Sequence, residues 1–290
     1  MKWRGGRQSS NVEDRSGRSA GSGGKIMAGG GIGTIVIAVL FFLFSGGDLN
    51  SVTDILGGGQ AANYQTENVA SDEYTEEKEF SAVVFGHLED YWNGVFEAEQ
   101  TTYQDPKLVL FTGSVQSACG NATSQVGPFY CPADQNVYLD LSFATELSQK
   151  YGASGDFAMA YVIAHEVGHH VQNELGITQQ LDKIRQQVSE KEYNQYSVRL
   201  ELQADYLAGT FAKYLQGKTY NGQPILEAGD IEEAITAANA IGDDTLQKEY
   251  QGYVVPDSFT HGTSKQRVEW FNRGFKYGDL EHGDTFNEKN

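Results

Sequence analysis

The stretch AYVIAHEVGHHVQNELG, from Ala160 to Gly176, places three histidines within six residues of a largely apolar run. The run from about residue 156 to residue 174 contains no proline, and Gly176 follows it at a position where glycine commonly ends a helix. The residues before the first histidine are uncharged and mostly apolar, which is typical of a buried helix. We therefore predict a buried helix over residues 156–174 at the centre of the fold.

Two of these histidines have the spacing of metal ligands. His165 and His169 are four residues apart, so on a helix they lie on one face and can reach the same ion. Glu166 is rotated by about 100° from His165 and is placed to act as a base beside the ion. This H-E-x-x-H arrangement favours a zinc site. The alternative is a surface helix with scattered polar residues, which the apolar run before His165 argues against.

A third ligand is expected on a later helix, because catalytic zinc usually has three protein ligands and an open position. The segment RLELQADYLAG contains Glu201 and Asp205, again four residues apart and interleaved with apolar residues. We assign Glu201 to the metal and Asp205 to a hydrogen bond with the imidazole of a ligand. The reverse assignment and an exposed acidic helix face are the alternatives.

One segment is long and apolar enough to cross a membrane. Residues 26–47 carry no charge, and as a helix they would span roughly 33 Å, about the thickness of the hydrocarbon core. Residues 1–25 contain six basic and two acidic residues, and basic flanks stay on the cytoplasmic side. We therefore predict a single-pass protein of the cell membrane with a cytoplasmic N-terminus and an extracellular or periplasmic remainder. A cleaved signal peptide is the alternative.

The overall charge and the cysteines agree with an external location. The 290-residue chain has a net charge of −18, which argues against binding to nucleic acid. Cys119 and Cys131 enclose a short loop rich in glycine and polar residues, and such a pair in an oxidising compartment indicates a disulfide. Two free buried thiols or a C-x11-C metal pair are the alternatives.

The predicted organisation is a cytoplasmic basic tail over residues 1–25, a transmembrane helix over 26–47, an acidic flexible stalk over 48–79 and a metallopeptidase-type domain over 80–290. The fold class is α+β, mainly α, with a small sheet. Periodicity predicts the following helices and strands within the domain. The helices cover about residues 78–98, 145–150, 156–174 and 190–215, with others in QLDKIRQQV, IEEAITAANAIGDD and SKQRVEWFNRGFKYG, and the strands cover 108–113 and 136–143.

These motifs resemble a known family. H-E-x-x-H followed by E-x-x-A-D on a later helix is similar to the gluzincin pattern of membrane metallopeptidases such as the CAAX-processing proteases. The closer resemblance is to the bacterial neutral zinc metallopeptidases, and it extends over MKWRGGRQSSNVEDR, GPFYCPADQNVYLDLSF, AHEVGHHVQ, ELQADYLAG and FTHGTSKQRVEWF. The resemblance implies a zincin-like fold with a membrane anchor, and it implies no particular substrate. The gluzincin membrane peptidases have several spanning segments, whereas one is predicted for this chain, so its site is expected to face water.

The resemblance also gives a role to two residues after the metal motif. On spacing alone, His261 lies in a turn and Arg267 on a solvated helix face. A histidine and an arginine at this separation also follow the metal motif in the CAAX-type peptidases. By this resemblance, His261 is expected to donate a hydrogen bond to the oxyanion, and Arg267 to hold the loop or an active-site carboxylate.

The sequence therefore predicts a zinc-dependent endopeptidase that acts on a protein or peptide, with Zn²⁺ as its cofactor and Glu166 as its general base. Val137 to Leu139 are expected either to form an edge strand that pairs with the substrate or to be a plain core strand. His170 is expected to pack or to support a ligand. The alternative functions are a membrane-anchored binding or scaffold module with a structural zinc, in which Asp205 or His261 is a fourth ligand, and a zinc amidase acting on cell-wall peptides.

Overall fold

The computed structural model describes residues 1–17 and 74–287, and within them helices dominate the fold. The helices are α1 Thr75–Ala98, α2 Phe143–Gln149, α3 Asp156–Glu174, α4 Ile177–Arg185, α5 Glu190–Gln216, α6 Asp230–Ala240, α7 Asp243–Gln251 and α8 Ser264–Tyr277. Short 3₁₀ turns occupy Ser124–Val126, Pro256–Ser258 and Glu281–Gly283. The prediction of a mainly helical α+β domain is confirmed.

Small sheets complete the described part of the chain. The strands are β1 Val12–Asp14, β2 Lys107–Phe111, β3 Ser114–Ser117, β4 Gly120–Thr123, β5 Phe129–Cys131, β6 Asn136–Asp140, β7 Thr219–Tyr220 and β8 Gln223–Pro224. Four of them form one sheet in the order β1-β2-β6-β5, in which β5 is antiparallel to β6 and the other pairs are parallel. The pairs β3-β4 and β7-β8 are separate antiparallel hairpins.

Of the two alternatives for Val137 to Leu139, the core strand is observed and the edge strand is not. These residues belong to β6, which pairs with β2 on one side and with β5 on the other, so its backbone groups are already used. All three side chains are buried, as expected for a strand in the core. The outer strand on this side of the sheet is β5, which the sequence analysis did not predict.

Helix α3 is buried along almost its whole length. Its core side chains include Phe157, Tyr161 and Val171, each 1% exposed or less. Burying a large apolar side chain of this kind contributes about 1.5–3 kcal/mol, so the helix is firmly held by its neighbours. Helices α5 and α6 pack on it, and α1 and the sheet cover other parts of its surface.

Helices α5 and α8 approach each other through two glycines. A Cβ at Gly209 would lie 2.1 Å from the carbonyl oxygen of Phe271, and a Cβ at Gly274 would lie 2.0 Å from the carbonyl oxygen of Tyr206. No other residue type fits at such distances, so the two glycines allow backbone-to-backbone contact. This close packing brings the first turn of α8 against the part of α5 that carries the acidic residues.

The first seventeen residues belong to the folded domain, which corrects the predicted boundary at residue 80. The side chains of Met1 and Trp3 are part of the core, and the amino group of Met1 contacts the carboxylates of Asp156 and Asp230. Strand β1 pairs in parallel with β2. Residues 1–17 therefore form a layer of the domain rather than a separate basic tail.

The predicted membrane span over residues 26–47 lies outside the described residues, as does the predicted stalk up to residue 73. Residues 75–79, placed in the stalk by the sequence analysis, begin α1. Within residues 1–17 and 74–287, no helix combines the length and apolar character that a membrane crossing requires. Two segments can pair as strands only on the same side of a membrane. The β1-β2 pair therefore conflicts with a single span that separates residues 1–25 from the domain.

Candidate metal centre

Three predicted ligands meet between α3 and α5. His165 and His169 lie on α3 and Glu201 lies on α5, and one ligand atom from each lies within 4.8 Å of the others. A Cβ at Gly168 would lie 3.2 Å from the Cα of Ala204, so glycine allows the two helices to approach closely at this level. All three side chains are nearly inaccessible to solvent.

Two distances within this cluster are close to those between the ligands of one zinc ion. His165 Nε2 lies 3.1 Å from Glu201 Oε2, and His169 Nε2 lies 3.5 Å from Glu201 Oε1. Ligand atoms that each bind zinc at about 2.0–2.1 Å in tetrahedral geometry are separated by about 3.3 Å. Both nitrogen–oxygen distances are close to this value, and the three residues could therefore hold one ion.

Asp205 fixes the orientation of His165. Its Oδ1 lies 2.9 Å from His165 Nδ1, and a carboxylate only accepts, so Nδ1 carries the hydrogen. That tautomer leaves Nε2 free to bind a metal. Tyr161, one turn before His165 on α3, also donates its hydroxyl to Asp205 Oδ1 at 2.5 Å. Asp205 thus contacts His165 through Nδ1, the ring nitrogen that does not face the metal, and it is not a member of the three-residue metal group.

Arg267 binds the same carboxylate from α8. Its Nε and Nη2 donate to the two oxygens of Asp205 at 2.8 and 3.0 Å, and its Nη2 donates to the hydroxyl of Tyr161 at 3.2 Å. The arginine is 3% exposed, so the solvated helix face considered for it is not observed. A fully buried bidentate pair of this type is strong because little water competes for it.

His169 has its own orienting partner in Gln172. Gln172 Nε2 donates to the carbonyl oxygen of Leu200 at 2.7 Å, which fixes the orientation of the amide. Its Oε1 then faces His169 Nδ1 at 2.9 Å and accepts a hydrogen bond from it. Nε2 of His169 is thereby free for a metal in the same way as Nε2 of His165. Gln172 was not predicted as a site residue, although it lies three residues after His169 on the same helix face.

The electrostatics of the cluster suit the binding of a cation. Burial alone would lower the pKa of His165, but the Asp205 and Glu201 carboxylates raise it to about 9. Burial would raise the pKa of Asp205, but the charges of Arg267 and His165 lower it to about 2. The pKa of Glu201 is likewise lowered well below its usual value by the neighbouring histidines, against the effect of burial. Protons and a divalent cation therefore compete for the same buried anionic groups.

Glu166 lies beside the cluster with part of its carboxylate unused. Its Oε2 is buried and has no hydrogen-bond partner, which is costly unless a water or substrate completes the site. Burial raises the pKa of Glu166, while the charges of His169 and His165 and the backbone amide of Tyr130 oppose that rise. A carboxylate in this environment is suited to accepting and releasing a proton.

His170 holds the outer strand of the sheet to the metal helix. It is fully buried, its Nε2 donates to the carbonyl oxygen of Gln104 at 2.7 Å, and its Nδ1 accepts from the hydroxyl of Tyr130 at 3.0 Å. Burial lowers its pKa to about 4, so the ring is neutral at neutral pH. Tyr130 lies on β5, and its backbone amide reaches Glu166. The outer strand therefore runs directly beside the candidate base, and His170 acts as a supporting residue.

His261 lies in the loop before α8. Its side chain is 13% exposed, and its Nδ1 lies 3.2 Å from Asp243 Oδ1. The ring is close enough to Glu201 to contribute to the lowered pKa of that carboxyl group. It is not a member of the three-residue metal group. The loop position expected from the sequence is thus observed, and the loop faces the metal helices rather than solvent alone.

Cys119 and Cys131 form a disulfide, as the sequence indicates, with their Cα atoms 5.8 Å apart. Cys131 is the last residue of β5 and is completely buried, whereas Cys119 precedes β4. The bond joins the end of the outer strand to the β3-β4 hairpin. It therefore holds in place the strand whose Tyr130 amide contacts Glu166.

The structure thus brings together the side chains that the sequence analysis singled out on three separate helices. It also adds partners that were not predicted, because each is recognised only through a contact between distant elements. Tyr161, Gln172 and Tyr130 have ordinary positions in their own helix or strand. Asp243 stands in the first turn of a helix that was not predicted separately, where an acidic residue is commonplace.

The chain is similar in sequence to bacterial proteins and to one protein family. An uncharacterized protein of Escherichia coli strain K12, YpfJ, is 46% identical over 291 residues, which cover 99% of both chains. An uncharacterized protein of Mycobacterium bovis is 43% identical over 190 residues, or 63% of each chain. No solved structure matches the chain. The family model described as "Putative neutral zinc metallopeptidase" matches residues 1–286, and the chain therefore belongs to that family.

Proposed function

We propose that this protein is a zinc-dependent endopeptidase that hydrolyses peptide bonds in a protein or peptide substrate. The observation that carries the proposal is the buried Glu166 carboxylate, which has an unpartnered oxygen and interacts electrostatically with the two ligand histidines, His169 and His165. A site that only stabilises the fold has no use for such a base. The membership in a metallopeptidase family supports the same reaction class.

The ligand set favours a catalytic site over a structural one. Structural zinc usually has four protein ligands, whereas catalytic zinc has three and an open position. Among the described residues the group contains His165, His169 and Glu201. Asp205 already binds Tyr161, His165 Nδ1 and Arg267, so it has little capacity left to act as a fourth ligand.

The zinc ligands and Glu166 would have separate roles in hydrolysis. Zinc, when held by the three ligands, supplies a Lewis acid that lowers the pKa of water and polarises a carbonyl. Glu166 would take a proton from the attacking water and hold it on the carboxylate. It would then deliver that proton to the amine that leaves when the peptide bond breaks. The pKa of Glu166, raised by burial, makes the carboxylate a better base for this transfer.

Other residues would position the substrate. Strand β5 is the outer strand on this side of the sheet, and an extended peptide could add to it by backbone hydrogen bonds. His261 would donate from its ring to the oxygen that gains negative charge. On this basis His261→Ala would lower turnover roughly 10²–10³-fold, the scale for one lost oxyanion donor, and leave the zinc content near normal.

We further propose that the folded domain acts in an oxidising compartment, because its cysteines are joined. A membrane anchor over residues 26–47 stays a prediction. Any anchor must keep residues 1–17 on the same side as the domain, since β1 pairs with β2.

The test is a comparison of Glu166→Gln with wild type on the full-length chain. Zinc content would be measured after gel filtration, and cleavage would be followed with an unstructured protein and a fluorogenic peptide library. Glu166→Gln is expected to keep its zinc and lose activity by several orders of magnitude, because the amide cannot accept the proton. Glu249→Gln, at an exposed position on α7, is the matched control and should behave as wild type.

The outcomes separate the candidate functions. A protein that binds zinc tightly and cleaves nothing, with or without Glu166, would be a scaffold with a structural metal. Release of fragments from peptidoglycan without cleavage of protein would identify an amidase acting on cell-wall peptides. Full activity in the Glu166→Gln variant would exclude the proposed base.

A further inference from the structure

The Asp243 side chain accepts hydrogen bonds from three consecutive backbone N–H groups of one short loop. Its Oδ2 accepts the backbone N–H groups of Thr260, His261 and Gly262 at 2.8, 2.7 and 3.0 Å. Its own backbone N–H donates to the carbonyl oxygen of Gly262 at 2.9 Å. Asp243 is 6% exposed as a whole residue, so these bonds are protected from water. Asp243 therefore determines the conformation of residues 260–262.

The second oxygen of Asp243 faces the imidazole of His261. Oδ1 lies 3.2 Å from His261 Nδ1. A carboxylate only accepts, so Nδ1 must carry the hydrogen, and this holds for both the neutral ring and the imidazolium. Nε2 is then the ring atom available to another group, and in the imidazolium it can donate to an oxyanion.

The loop lies against the helix that carries the metal ligand Glu201. Gly262 has a φ of +91°, and a Cβ there would lie 3.1 Å from Val198 and 3.4 Å from Leu202 on α5. The carbonyl oxygen of Thr260 accepts from the Ser197 hydroxyl at 2.9 Å. His261 thus stands between Asp243 on one side and the ligand-bearing part of α5 on the other.

We propose that Asp243 is a positioning residue of the peptidase: it folds residues 260–262 against α5 and holds His261 so that Nε2 faces the reacting substrate. This inference rests on the proposed function. Asp243 acts through His261 and is not itself a catalytic residue. No motif in the sequence marks it, since the contact joins the start of α7 to a loop eighteen residues later.

The substitution Asp243→Asn separates orientation from folding. The amide oxygen can still accept the three backbone N–H groups, so the loop is expected to keep its fold. The amide nitrogen would face His261 Nδ1 and donate to it, which moves the ring hydrogen to Nε2 in the neutral form. Asp243→Ala would remove both functions. Asp244→Asn is the matched control, because Asp244 accepts from the backbone of Ser264 and not from the His261 loop.

The first readout needs neither metal nor activity. In the zinc-free protein at pH 8, ¹⁵N chemical shifts of the His261 ring should report hydrogen on Nδ1 in wild type and in Asp244→Asn, and on Nε2 in Asp243→Asn. Hydrogen exchange of the amides of residues 260–262 should be slow in wild type and Asp243→Asn and fast in Asp243→Ala. Hydrogen on Nε2 in the wild-type ring would overturn the inference while leaving the proposed function intact.

The second readout is a double-mutant cycle on the zinc-loaded full-length enzyme. Asp243→Asn should lower kcat roughly 10–100-fold, the scale for a lost orienting partner, with little change in KM. The variant would present a neutral Nε2–H to the oxyanion, which is a weaker donor than the imidazolium that the Asp243 carboxylate supports through Nδ1. In a His261→Ala background the same substitution should cause no further loss, because its effect passes through the imidazole. Equal losses in both backgrounds would overturn the inference. A wild-type protein that binds zinc and cleaves no peptide would overturn the proposed function, and the role of Asp243 with it.

Discussion

Arg267 and Asp205 form a fully buried ion pair across 62 residues of sequence, with Nε and Nη2 of the arginine on the two oxygens of the carboxylate. The same carboxylate accepts from His165 Nδ1, so α8 is connected to the metal helix through one side chain. The Gly209–Gly274 contact between α5 and α8 brings the two charges together. Helix α8 therefore helps to hold the metal-binding residues in place.

Removal of this arginine should destabilise the protein strongly. Arg267→Met keeps the bulk of the side chain but leaves Asp205 as a buried charge with its main counter-ion lost, which typically costs about 3–5 kcal/mol. The free energy of unfolding, measured by urea titration with chelator present, should fall on this scale. Lys265→Met, at an exposed position on the same helix, should change it little. If Arg267→Met and Arg267→Met/Asp205→Asn are equally unstable, an uncompensated charge is not the cause.

The two acidic residues of α5 should differ in their effect on zinc retention. Glu201→Gln removes a charged group from the three-residue cluster and should cause the larger loss of affinity. Asp205→Asn affects only the support of His165, for which about 10–100-fold is typical. Competition with a fluorescent zinc chelator gives both affinities. The reverse ranking would invert the assignment of the third ligand.

Gln172 should contribute to metal affinity although it touches no ion. Gln172→Leu removes the acceptor for His169 Nδ1, so the ring is free to rotate or to change its tautomer. Zinc affinity is expected to fall about 10-fold or more, with the helix content unchanged. Gln180→Leu, at an exposed position on α4, serves as the control. Wild-type affinity in Gln172→Leu would mean that packing alone orients His169.

The sequence was sufficient for the parts of this site that follow from local spacing. His165, Glu166 and His169 are fixed by one helical turn, and the interleaved apolar residues around Glu201 predict a buried face of a second helix. What could not be read from the sequence is which strand lies at the edge of the sheet. The sequence indicated β6 as a strand and gave no signal for the short β5, and only the pairing of β6 with both β2 and β5 places it in the interior of the sheet. The sequence also could not predict that Arg267 is buried, because its burial depends on the close approach of α8 to α5.

The metal-free protein should lose stability as the pH rises through the titration of His165. The pKa of this histidine is raised from 6.5 to about 9 in the folded state, where the carboxylates of Asp205 and Glu201 outweigh the effect of burial. The folded state therefore binds more protons than the unfolded state in this range. The resulting stabilisation is present below about pH 6.5 and is lost as the pH rises towards 9.

Urea titrations at intervals of pH, with chelator present, check this dependence. The difference between wild type and His165→Gln isolates the histidine from the other titrating groups. That difference should shrink from pH 6 to pH 9. A difference that stays constant over this range would show that the proton on His165 contributes nothing to the fold.

The packing of residues 1–17 predicts where they lie relative to the domain in a cell. Because β1 pairs with β2 and Trp3 is buried in the core, both segments must occupy one compartment whenever the fold forms. Cysteines placed at two exposed positions, Ser10→Cys and Glu249→Cys, report the two segments separately. With the native cysteines in their disulfide, a membrane-impermeant maleimide should label both variants to the same extent in intact spheroplasts. Labelling is expected without detergent, since the disulfide indicates an oxidising compartment. Labelling of Glu249→Cys alone, with Ser10→Cys reacting only after the membrane is permeabilised, would establish a single span over residues 26–47 and would mean that β1 leaves the sheet in the membrane-bound protein.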